Sequence, residues 1–207
     1  MKVLLVNGSP REQGCTNTAL ETAKKVFEAQ GVESEIFWIG AKVAGGCMHC
    51  LKCRENNECI IDDVVNKFHK LARSADGFIF GSPVHYASIS GGMSSFMDRL
   101  FFSDIDKIFR MKPAGAIVSA RRAGTTAAFD QMNKYFTISE MPVISSVYWN
   151  MVHGSNPEEV LQDEEGIFTV EQLAKNMVFI LKCIQAGKEQ GIALPEKLKR
   201  PATNFIR

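Results

Sequence analysis

Short runs of apolar residues alternate along this chain with longer segments of helical periodicity. The first run, Val3–Val6, is continuous and ends in a turn at Gly8, whereas the segment after Asn17 has apolar residues at helical spacing. Further apolar runs follow at 32–39, at 77–81 and beyond. A continuous apolar run is typical of a strand buried on both faces, and strands that alternate with helices form parallel sheets. The sequence therefore predicts an α/β fold.

The number of segments narrows the fold further. Five strands, the last two at Ala114–Ser119 and Pro142–Val147, and five helices fit a flavodoxin-like doubly wound parallel sheet of order 2-1-3-4-5, with helices on both faces. The motif Thr169-x-x-Gln172 has the form of a capping box and predicts the start of the last long helix. His69 is expected on the solvent face of the second helix.

The chain length suits one domain. Its 207 residues fall within the ordinary range for a domain with its own core. We expect residues 1–188 to form that domain, with a cysteine-rich loop at 44–60, an inserted loop at 147–166 and a loosely attached C-terminal tail at 189–207. In a sheet of this order, ligands bind beyond the carboxyl ends of the strands, where the strand order reverses. The loops after the first and third strands are therefore the candidate binding loops.

Charge and hydropathy argue against several classes of partner. The net charge is +1, so there is no basic field that would favour nucleic acid. No segment approaches the ~20 apolar residues that span a bilayer, and the first apolar run is too short for the core of a signal peptide. We therefore expect a cytoplasmic protein that binds neither membrane nor nucleic acid.

The loop after the first strand has the composition of a phosphate site. It runs from Gly8 into a helix N-terminus, where backbone N–H groups and the helix dipole favour an anion. Gly14 is not followed by lysine and the loop lacks the spacing G-x-G-x-x-G, which argues against ATP, GTP and the usual dinucleotide fold. Ordinary capping of the helix is the alternative. The side chains that can add donors or charge are Ser9, Arg11, Thr16, Asn17 and Thr18.

The loop after the third strand suits a planar ring. Pro83 fixes the chain, and the pair Gly91-Gly92 lets the next helix begin close to a ligand. His85 and Tyr86 can lie against an aromatic ring system. The alternative is a structural turn in which the tyrosine packs. The loop therefore favours a flavin-sized ligand but does not require one.

Three groups of residues, in this order along the chain, resemble the NADPH-dependent FMN reductase family. They are Gly8-Ser9-Pro10-Arg11 with Asn17-Thr18, then Ser82-Pro83-Val84-His85-Tyr86, then Gly91-Gly92-Met93 with Phe96-Met97-Asp98-Arg99. The motifs cover the first half of the chain, and the expected strand order extends the match through most of the rest. The family usually has asparagine directly after the loop glycine, where this chain has Cys15-Thr16.

The resemblance implies how FMN is held. Its phosphate would lie against Ser9, Arg11, Asn17 and Thr18, and its ring against Pro83, Val84, His85 and Tyr86. A third flavin loop would be Ser119–Gly124, which brings in Ser119, Arg121 and Gly124. Backbone N–H groups near Val84 and Gly124 would tune the ring. Asp98 and Arg99 are expected to pair with each other near the site or at a subunit interface.

The resemblance also implies an activity. FMN would accept a hydride from NAD(P)H and pass electrons to an acceptor such as a quinone, a nitro compound or an azo compound. The flavin carries the chemistry, so no catalytic acid or base is required of the protein. Members of the family usually form dimers or tetramers with the flavin near a subunit interface, so a homodimer or homotetramer is implied.

Four clustered cysteines indicate metal or redox chemistry. Their spacing is C-x2-C-x2-C-x5-C, which suits a [4Fe–4S] cluster and is similar to the motif of iron–sulfur flavoproteins. Zinc held by four thiolates, or by three with His49, is one alternative, and free thiols in a gating loop are another. The four are Cys47, Cys50, Cys53 and Cys59.

Two further functions stay open beside the NAD(P)H-dependent reductase. In the first, a ferredoxin-like protein donates electrons to the [4Fe–4S] cluster and the cluster passes them to FMN. In the second, the protein is a non-catalytic interaction module stabilised by zinc or flavin. The cysteine motif favours the electron carrier, whereas direct oxidation of NAD(P)H would favour the reductase.

Overall fold

A computed structural model describes most of this chain. It covers residues 1–42, 45–198, 201 and 203. Ala44 of the expected cysteine-rich loop and several residues of the expected tail (199–200, 202 and 204–207) lie outside the described residues. Within the described ranges, no helix has both the length and the apolar character that crossing a membrane requires.

Strands and helices alternate along the described chain. The strands are β1 (Lys2–Asn7), β2 (Glu33–Trp38), β3 (Gly77–His85), β4 (Ser88–Ile89), β5 (Ala114–Ala120) and β6 (Met151–His153). The helices are α1 (Cys15–Ala29), α2 (Cys53–Asn56), α3 (Val64–Ala72), α4 (Gly91–Ser103), α5 (Thr125–Ile138), α6 (Pro157–Val160) and α7 (Glu164–Glu189).

The sheet has the predicted order. Its strands lie in the sequence β2-β1-β3-β5-β6, and each neighbouring pair is parallel. The short strand β4 pairs antiparallel with the end of β3. Without β4, five parallel strands lie in the order 2-1-3-4-5, and the predicted flavodoxin-like doubly wound sheet is confirmed. The order reverses between β1 and β3, which places a binding crevice at their carboxyl ends.

The central strands are buried on both faces, which explains their continuous apolar sequences. Leu4 and Val6 of β1 belong to a core shared with α3, α4 and α5. Val3 and Leu5 belong to a second core, on the other face, shared with α1 and α7. Because alternate residues of a strand point to opposite faces, one strand contributes to both cores. The two helix layers hold the strand ends, and therefore the binding loops, in fixed positions.

The fifth strand is not where the sequence placed it. In the expected segment Pro142–Val147, Val143 makes an isolated bridge to Ala114, and Val147 is exposed. The outer strand is β6, which pairs with Val118–Ala120 of β5. The prediction is wrong because an apolar run does not reveal which of its residues leave the sheet, and a three-residue strand has too little pattern to detect. The expected inserted loop at 147–166 accordingly holds β6 and α6.

The last helix begins earlier than predicted. Asp163 caps it, because its Oδ1 accepts a hydrogen bond from the Gly166 N–H at 3.0 Å. Thr169 lies buried inside the helix, so the expected start there is wrong. The residues Glu164 and Glu165 favour the first turn through the helix dipole. The capping-box pattern occurs here in a helix interior, where it carries no boundary information.

His69 is buried rather than solvated. Its side chain is enclosed on α3, with Nε2 3.5 Å from Oδ1 of Asp104, and its ring meets that of Phe109 edge-on. The expectation of a surface position is wrong, because the groups that cover His69 lie some 35 residues further along the chain. Helical periodicity alone does not show such long-range partners.

Candidate functional site

A cavity of about 300 Å³ lies at the carboxyl ends of β1, β3 and β5. Most of the sequence-predicted flavin residues meet there. Those that line it are Ser9, Arg11, Thr16, Pro83, Val84, His85, Ser119 and Arg121. Residues that the sequence reasoning missed also line it, and these are Pro10, Gly14, Cys15, Ala120 and Gly154. The three loops that precede α1, β4 and α5 thus converge on one space.

The loop after β1 is held closed from within by Asn7. This side chain is fully buried, and its Nδ2 donates to the Glu12 carbonyl oxygen at 2.8 Å and to Oδ1 of Asn17 at 3.3 Å. Its Oδ1 accepts a hydrogen bond from the Ser9 N–H at 3.0 Å. Ser9 Oγ in turn accepts from the Arg11 N–H at 3.1 Å. Asn17 therefore braces the loop instead of lining the cavity, and the role of Asn7 leaves no sequence signal beyond a polar residue at a strand end.

The first turn of α1 faces the cavity without a side-chain cap. Gly14 is the N-cap residue, and no side chain accepts a hydrogen bond there. The Thr18 hydroxyl donates to the Gly14 carbonyl oxygen at 3.3 Å, so Thr18 lies within the first turn and outside the cavity lining. The alternative in which the loop hydroxyls only cap the helix is thus not realised. Uncapped N–H groups at a helix N-terminus are suited to an anion such as phosphate.

Thr16 joins the β1 loop to the β5 loop. Its Oγ1 lies 2.7 Å from Oγ of Ser119, and both side chains are buried. A side chain at Gly81 would collide with Thr16, since a Cβ there would lie 2.9 Å from its methyl group. The two hydroxyls therefore form a fixed polar floor for the cavity. Cys15 borders the same floor, with Sγ 3.6 Å from the Gly154 carbonyl oxygen, and burial raises the pKa of its thiol.

A tight hairpin between β3 and β4 forms the cavity's rim. Tyr86 and Ala87 have φ of 51° and 58°, the left-handed values of a two-residue hairpin turn. The Tyr86 ring is fully exposed and lies outside the cavity lining. Gly124 supports the turn from behind, because a Cβ on it would lie 2.7 Å from Cα of Ala87. Gly124 therefore shapes the rim but does not line the cavity.

Two serines to which the sequence reasoning gave no role, Ser82 and Ser90, join the loop after β1 to the segment around β3 and β4. Ser90 Oγ donates to the Gly8 carbonyl oxygen at 2.7 Å and accepts from the Met93 N–H, so it also caps α4. The Ser90 N–H donates to Oγ of Ser82 at 3.0 Å. A serine directly before Gly91 is an N-cap pattern, so the cap could have been predicted, but its bond to Gly8 could not.

All four clustered cysteines line a second pocket. They meet residues from the last turns of α4, namely Arg99, Phe102 and Ser103. We call this space the four-cysteine pocket. Cys47 and Cys50 are exposed, Cys59 is half-buried and Cys53 is 6% exposed. Among the described residues, which include all four cysteines, no three His, Cys, Asp or Glu side chains converge on a point where they could hold one metal ion.

The four thiols influence one another electrostatically. Burial raises the pKa of the Cys53 thiol, and Coulomb repulsion from Cys47, Cys50 and Cys59 raises it further, against the hydrogen bond from its own backbone. Its Sγ lies 3.9 Å from the Phe102 carbonyl oxygen. A group of thiolates in one pocket is stabilised by cations, which is the charge that bound iron or zinc brings.

Asp98 and Arg99 do not pair with each other. Arg99 forms a salt bridge with Asp63, with Nη1 2.7 Å from Oδ2. Asp98 instead accepts a hydrogen bond from Tyr135 of α5, and burial together with this carboxylate raises the pKa of Tyr135 to about 12. The expected pair is therefore wrong. Neighbouring residues of a helix point in different directions, so each found its partner on a different element.

Helix α4 connects the two sites. Its N-cap, Ser90, contacts the β1 loop, and Arg99, Phe102 and Ser103 near its other end line the four-cysteine pocket. The loop that borders the cavity and the four-cysteine pocket therefore both contact one helix.

Fold and cavity together define a flavodoxin-like protein with an open cavity at the switch point of its sheet. More specifically, the chain belongs to the NADPH-dependent FMN reductase family, whose model matches residues 1–156. An iron-sulfur flavoprotein of Methanocaldococcus jannaschii is 30% identical over 192 residues, which are 89% of this chain and 100% of that protein. An iron-sulfur flavoprotein of Methanosarcina thermophila is 28% identical over 196 residues, 92% of this chain and 100% of that protein.

A solved structure shares the fold. The crystal structure of RosB with bound 8-demethyl-8-formylriboflavin-5'-phosphate superposes with a TM-score of 0.66 at 15% identity. The match covers 100% of this chain and 95% of that one. This structure supports the fold alone. The family model and the two iron-sulfur flavoproteins confirm the predicted resemblance to the FMN reductase family and its iron–sulfur flavoprotein branch.

Proposed function

We propose that this protein is an iron–sulfur flavoprotein that carries electrons between a [4Fe–4S] cluster in the four-cysteine pocket and FMN in the cavity. The observation that carries the proposal is that all four clustered cysteines line one pocket. When bound, the cluster supplies one-electron transfer and the flavin supplies both one- and two-electron transfer. The protein's task is to hold the two groups, shield them and tune them.

The cavity suits FMN at both of its ends. The phosphate would lie against the uncapped N–H groups of α1, with Ser9 Oγ and the Arg11 guanidinium beside it. The ring would lie over Pro83 and Val84 at the rim, where Val84 has a backbone N–H group and both side chains offer an apolar surface. The Thr16 and Ser119 hydroxyls close the floor between these two ends. We infer that Tyr86, which projects into solvent, reaches the ring only if the rim hairpin closes.

The spacing of the cysteines and the matching relatives favour an iron–sulfur cluster over zinc. A [4Fe–4S] cluster binds four thiolates, each through a different iron. The run C-x2-C-x2-C-x5-C supplies three cysteines close together in the chain and a fourth that can complete the set, and all four line one pocket. Two relatives that match nearly the whole chain carry the name iron-sulfur flavoprotein.

Exposure of two cysteines favours entry of electrons from a protein donor. Cys47 and Cys50 lie on the surface, so a bound cluster would have an edge that a ferredoxin-like protein can approach. Electrons would leave through FMN to an acceptor such as a quinone, a nitro compound or an azo compound. A second candidate donor is NAD(P)H, which the description of the matching family favours.

Cysteine substitution tests the proposed path. Protein purified without oxygen and loaded with FMN is offered reduced ferredoxin, NADH or NADPH, and flavin bleaching is followed. We expect ferredoxin to bleach the flavin of the wild type, and Cys53→Ser to abolish that reaction while FMN stays bound. Cys183→Ser, on the exposed surface of α7, is the matched control. The contrary result is that NADPH reduces the flavin equally fast in wild type and Cys53→Ser, and that ferredoxin does not reduce it. That result would contradict the electron carrier and support the NAD(P)H-dependent reductase.

We also infer that the protein forms a homodimer or homotetramer. The rings of Tyr148 and Trp149 are tilted against each other with their centroids 4.8 Å apart, and each side chain is about half exposed. Val143 and Val147, between α5 and β6, and Phe179 of α7 are further exposed apolar side chains. Apolar surface of this kind suits burial against a second copy. Light scattering on a size-exclusion column measures the mass, and a monomer at micromolar concentration would contradict the inference.

A further inference from the structure

Arg99 is among the largest fully buried side chains in the described part of the chain, and the proposed electron path gives it no role. It is 1% exposed, on the face of α4 that lines the four-cysteine pocket. A buried guanidinium is costly unless its N–H groups find acceptors. Nη1 donates to Asp63 Oδ2 at 2.7 Å, and Nη2 donates to Asp63 Oδ1 at 2.9 Å and to the Ile61 carbonyl oxygen at 2.8 Å. These bonds fix the plane of the guanidinium.

The third nitrogen of this group, Nε, points at a cysteine. Arg99 Nε lies 3.3 Å from Sγ of Cys59. A neutral thiol is a weak acceptor, whereas a thiolate is a strong one, so a cationic donor in this place suits a deprotonated or iron-bound sulfur. The fork that Asp63 holds therefore aims one charged N–H at one particular sulfur of the pocket.

The backbone of Cys59 is fixed as well. Its N–H donates to Asn66 Oδ1 at 3.0 Å, and its carbonyl oxygen accepts from Asn66 Nδ2 at 2.8 Å. Asn66 is buried on α3, the helix that Asp63 caps through the Val65 N–H. Cys59 is thus held by α3 through its backbone and by α4 through its sulfur. Cys47 and Cys50, in contrast, are exposed.

We propose that Arg99 is a positioning and tuning residue for the iron–sulfur cluster: it holds Cys59 in its ligating position and raises the reduction potential of the bound group. The proposal rests on the proposed function, since it requires a cluster in the pocket. A positive charge and an N–H donor at a ligating sulfur stabilise the reduced state, which carries one more negative charge. Asp63 limits the effect because its carboxylate compensates part of the guanidinium charge.

Two substitutions with opposite expected signs test the proposal. In FMN-loaded protein reconstituted with iron and sulfide, Arg99→Gln is expected to lower the midpoint potential of the cluster. Asp63→Asn is expected to raise it, because the guanidinium loses its counter-charge while asparagine still caps α3. Arg99→Lys, which keeps the charge without the fork, should fall between wild type and Arg99→Gln. The potentials are measured by redox titration with EPR detection, which separates cluster from flavin.

Controls separate this proposal from a structural role and from the proposed function. Arg73→Gln, which breaks the exposed pair of Arg73 with Asp106, should leave the potential unchanged. If Arg99→Gln does not fold, Asp63→Asn alone decides by its sign. Potentials that stay at the wild-type value, or that fall in both variants, overturn the role of Arg99 and leave the cluster in place. A reconstituted wild type without iron overturns the proposed function and this inference together.

Discussion

Gly124 and Gly31 both have left-handed backbone but very different surroundings. Their φ values are 90° and 70°. A Cβ on Gly31 would meet nothing within 4 Å, whereas one on Gly124 would lie 2.7 Å from Cα of Ala87 and 3.0 Å from a methyl carbon of Val84. The shape of the cavity rim therefore depends on a missing side chain at Gly124.

Alanine at these two glycines should have unequal effects. Gly31→Ala is expected to cost about 1 kcal/mol of unfolding free energy, which is the price of left-handed backbone alone. Gly124→Ala should cost more and should also weaken FMN binding, because the rim hairpin has to move. Urea denaturation and quenching of flavin fluorescence measure the two effects. Equal stability losses, with FMN affinity intact in both variants, would contradict the contact at Ala87.

Arg11 is expected to contribute to FMN binding through the phosphate alone. It is exposed at the cavity edge, where an ion pair is worth up to about 1 kcal/mol. Arg11→Gln should therefore weaken FMN binding about fivefold and leave the affinity for riboflavin unchanged. Arg122→Gln, an exposed arginine outside the cavity lining, is the control. An equal loss for FMN and riboflavin would place the phosphate elsewhere.

Helix α7 depends on a cap that also joins it to the sheet edge. Asp163 accepts hydrogen bonds from the Gly166 N–H at 3.0 Å and from the His153 N–H of β6 at 2.7 Å. A side chain on Gly166 would collide with this carboxylate, since a Cβ would lie 2.3 Å from its Oδ2. One carboxylate therefore sets both the start of α7 and the end of β6.

Substitutions at Asp163, where α7 begins, and at Thr169, where the sequence pattern predicted its start, should lower the unfolding free energy by different amounts. Asp163→Ala is expected to lower the unfolding free energy by about 1–2 kcal/mol. Thr169→Val replaces a buried residue by one of the same shape and should cost ~0.5 kcal/mol or less. Chemical denaturation of both variants measures the difference. A larger loss of unfolding free energy for Thr169→Val than for Asp163→Ala would contradict a helix start at Asp163.

The Asp63 carboxylate, which caps α3, makes the free energy of unfolding depend on pH in the acidic range. Burial disfavours the charged form of Asp63, but hydrogen bonds from Arg99 and the Val65 N–H, with the Arg99 charge, outweigh it and lower the pKa of this carboxyl below 3.8. A lowered folded-state pKa adds stability that is present above 3.8 and is lost as the pH falls through the folded value.

Asp63→Asn should therefore cost more stability at neutral pH than in acid. The measurement is urea denaturation of the metal-free protein from pH 7 to pH 3, in wild type and variant. Asp106→Asn, in the exposed pair with Arg73, is the matched control. A gap between wild type and Asp63→Asn that keeps the same size over this range would show that the ion pair does not stabilise the fold.

At the scale of the molecule, the features of the fold that depend on local sequence pattern could be predicted. Val3–Val6 and Gly77–Gly81 are continuous apolar runs because both sheet faces are covered, so these strands, their loops and the sheet order could be predicted. The close spacing of the four cysteines in the sequence indicated that they share one site, and all four line one pocket. What depends on distant contacts could not be predicted. The buried partner of His69 and the Asp63 partner of Arg99 are examples, because each contact joins residues some 35 positions apart.

The proposed function requires FMN in the cavity and an iron–sulfur cluster in the four-cysteine pocket of the same protein. The measurement is the content of FMN, iron and acid-labile sulfide in wild-type protein reconstituted without oxygen, together with its absorption spectrum before and after dithionite. We expect one FMN, about four irons and about four sulfides per chain, with a broad absorption beneath the flavin bands that bleaches on reduction. Bound flavin with zinc, or with no metal in the four-cysteine pocket, would contradict the account, and so would protein that stays colourless in excess FMN.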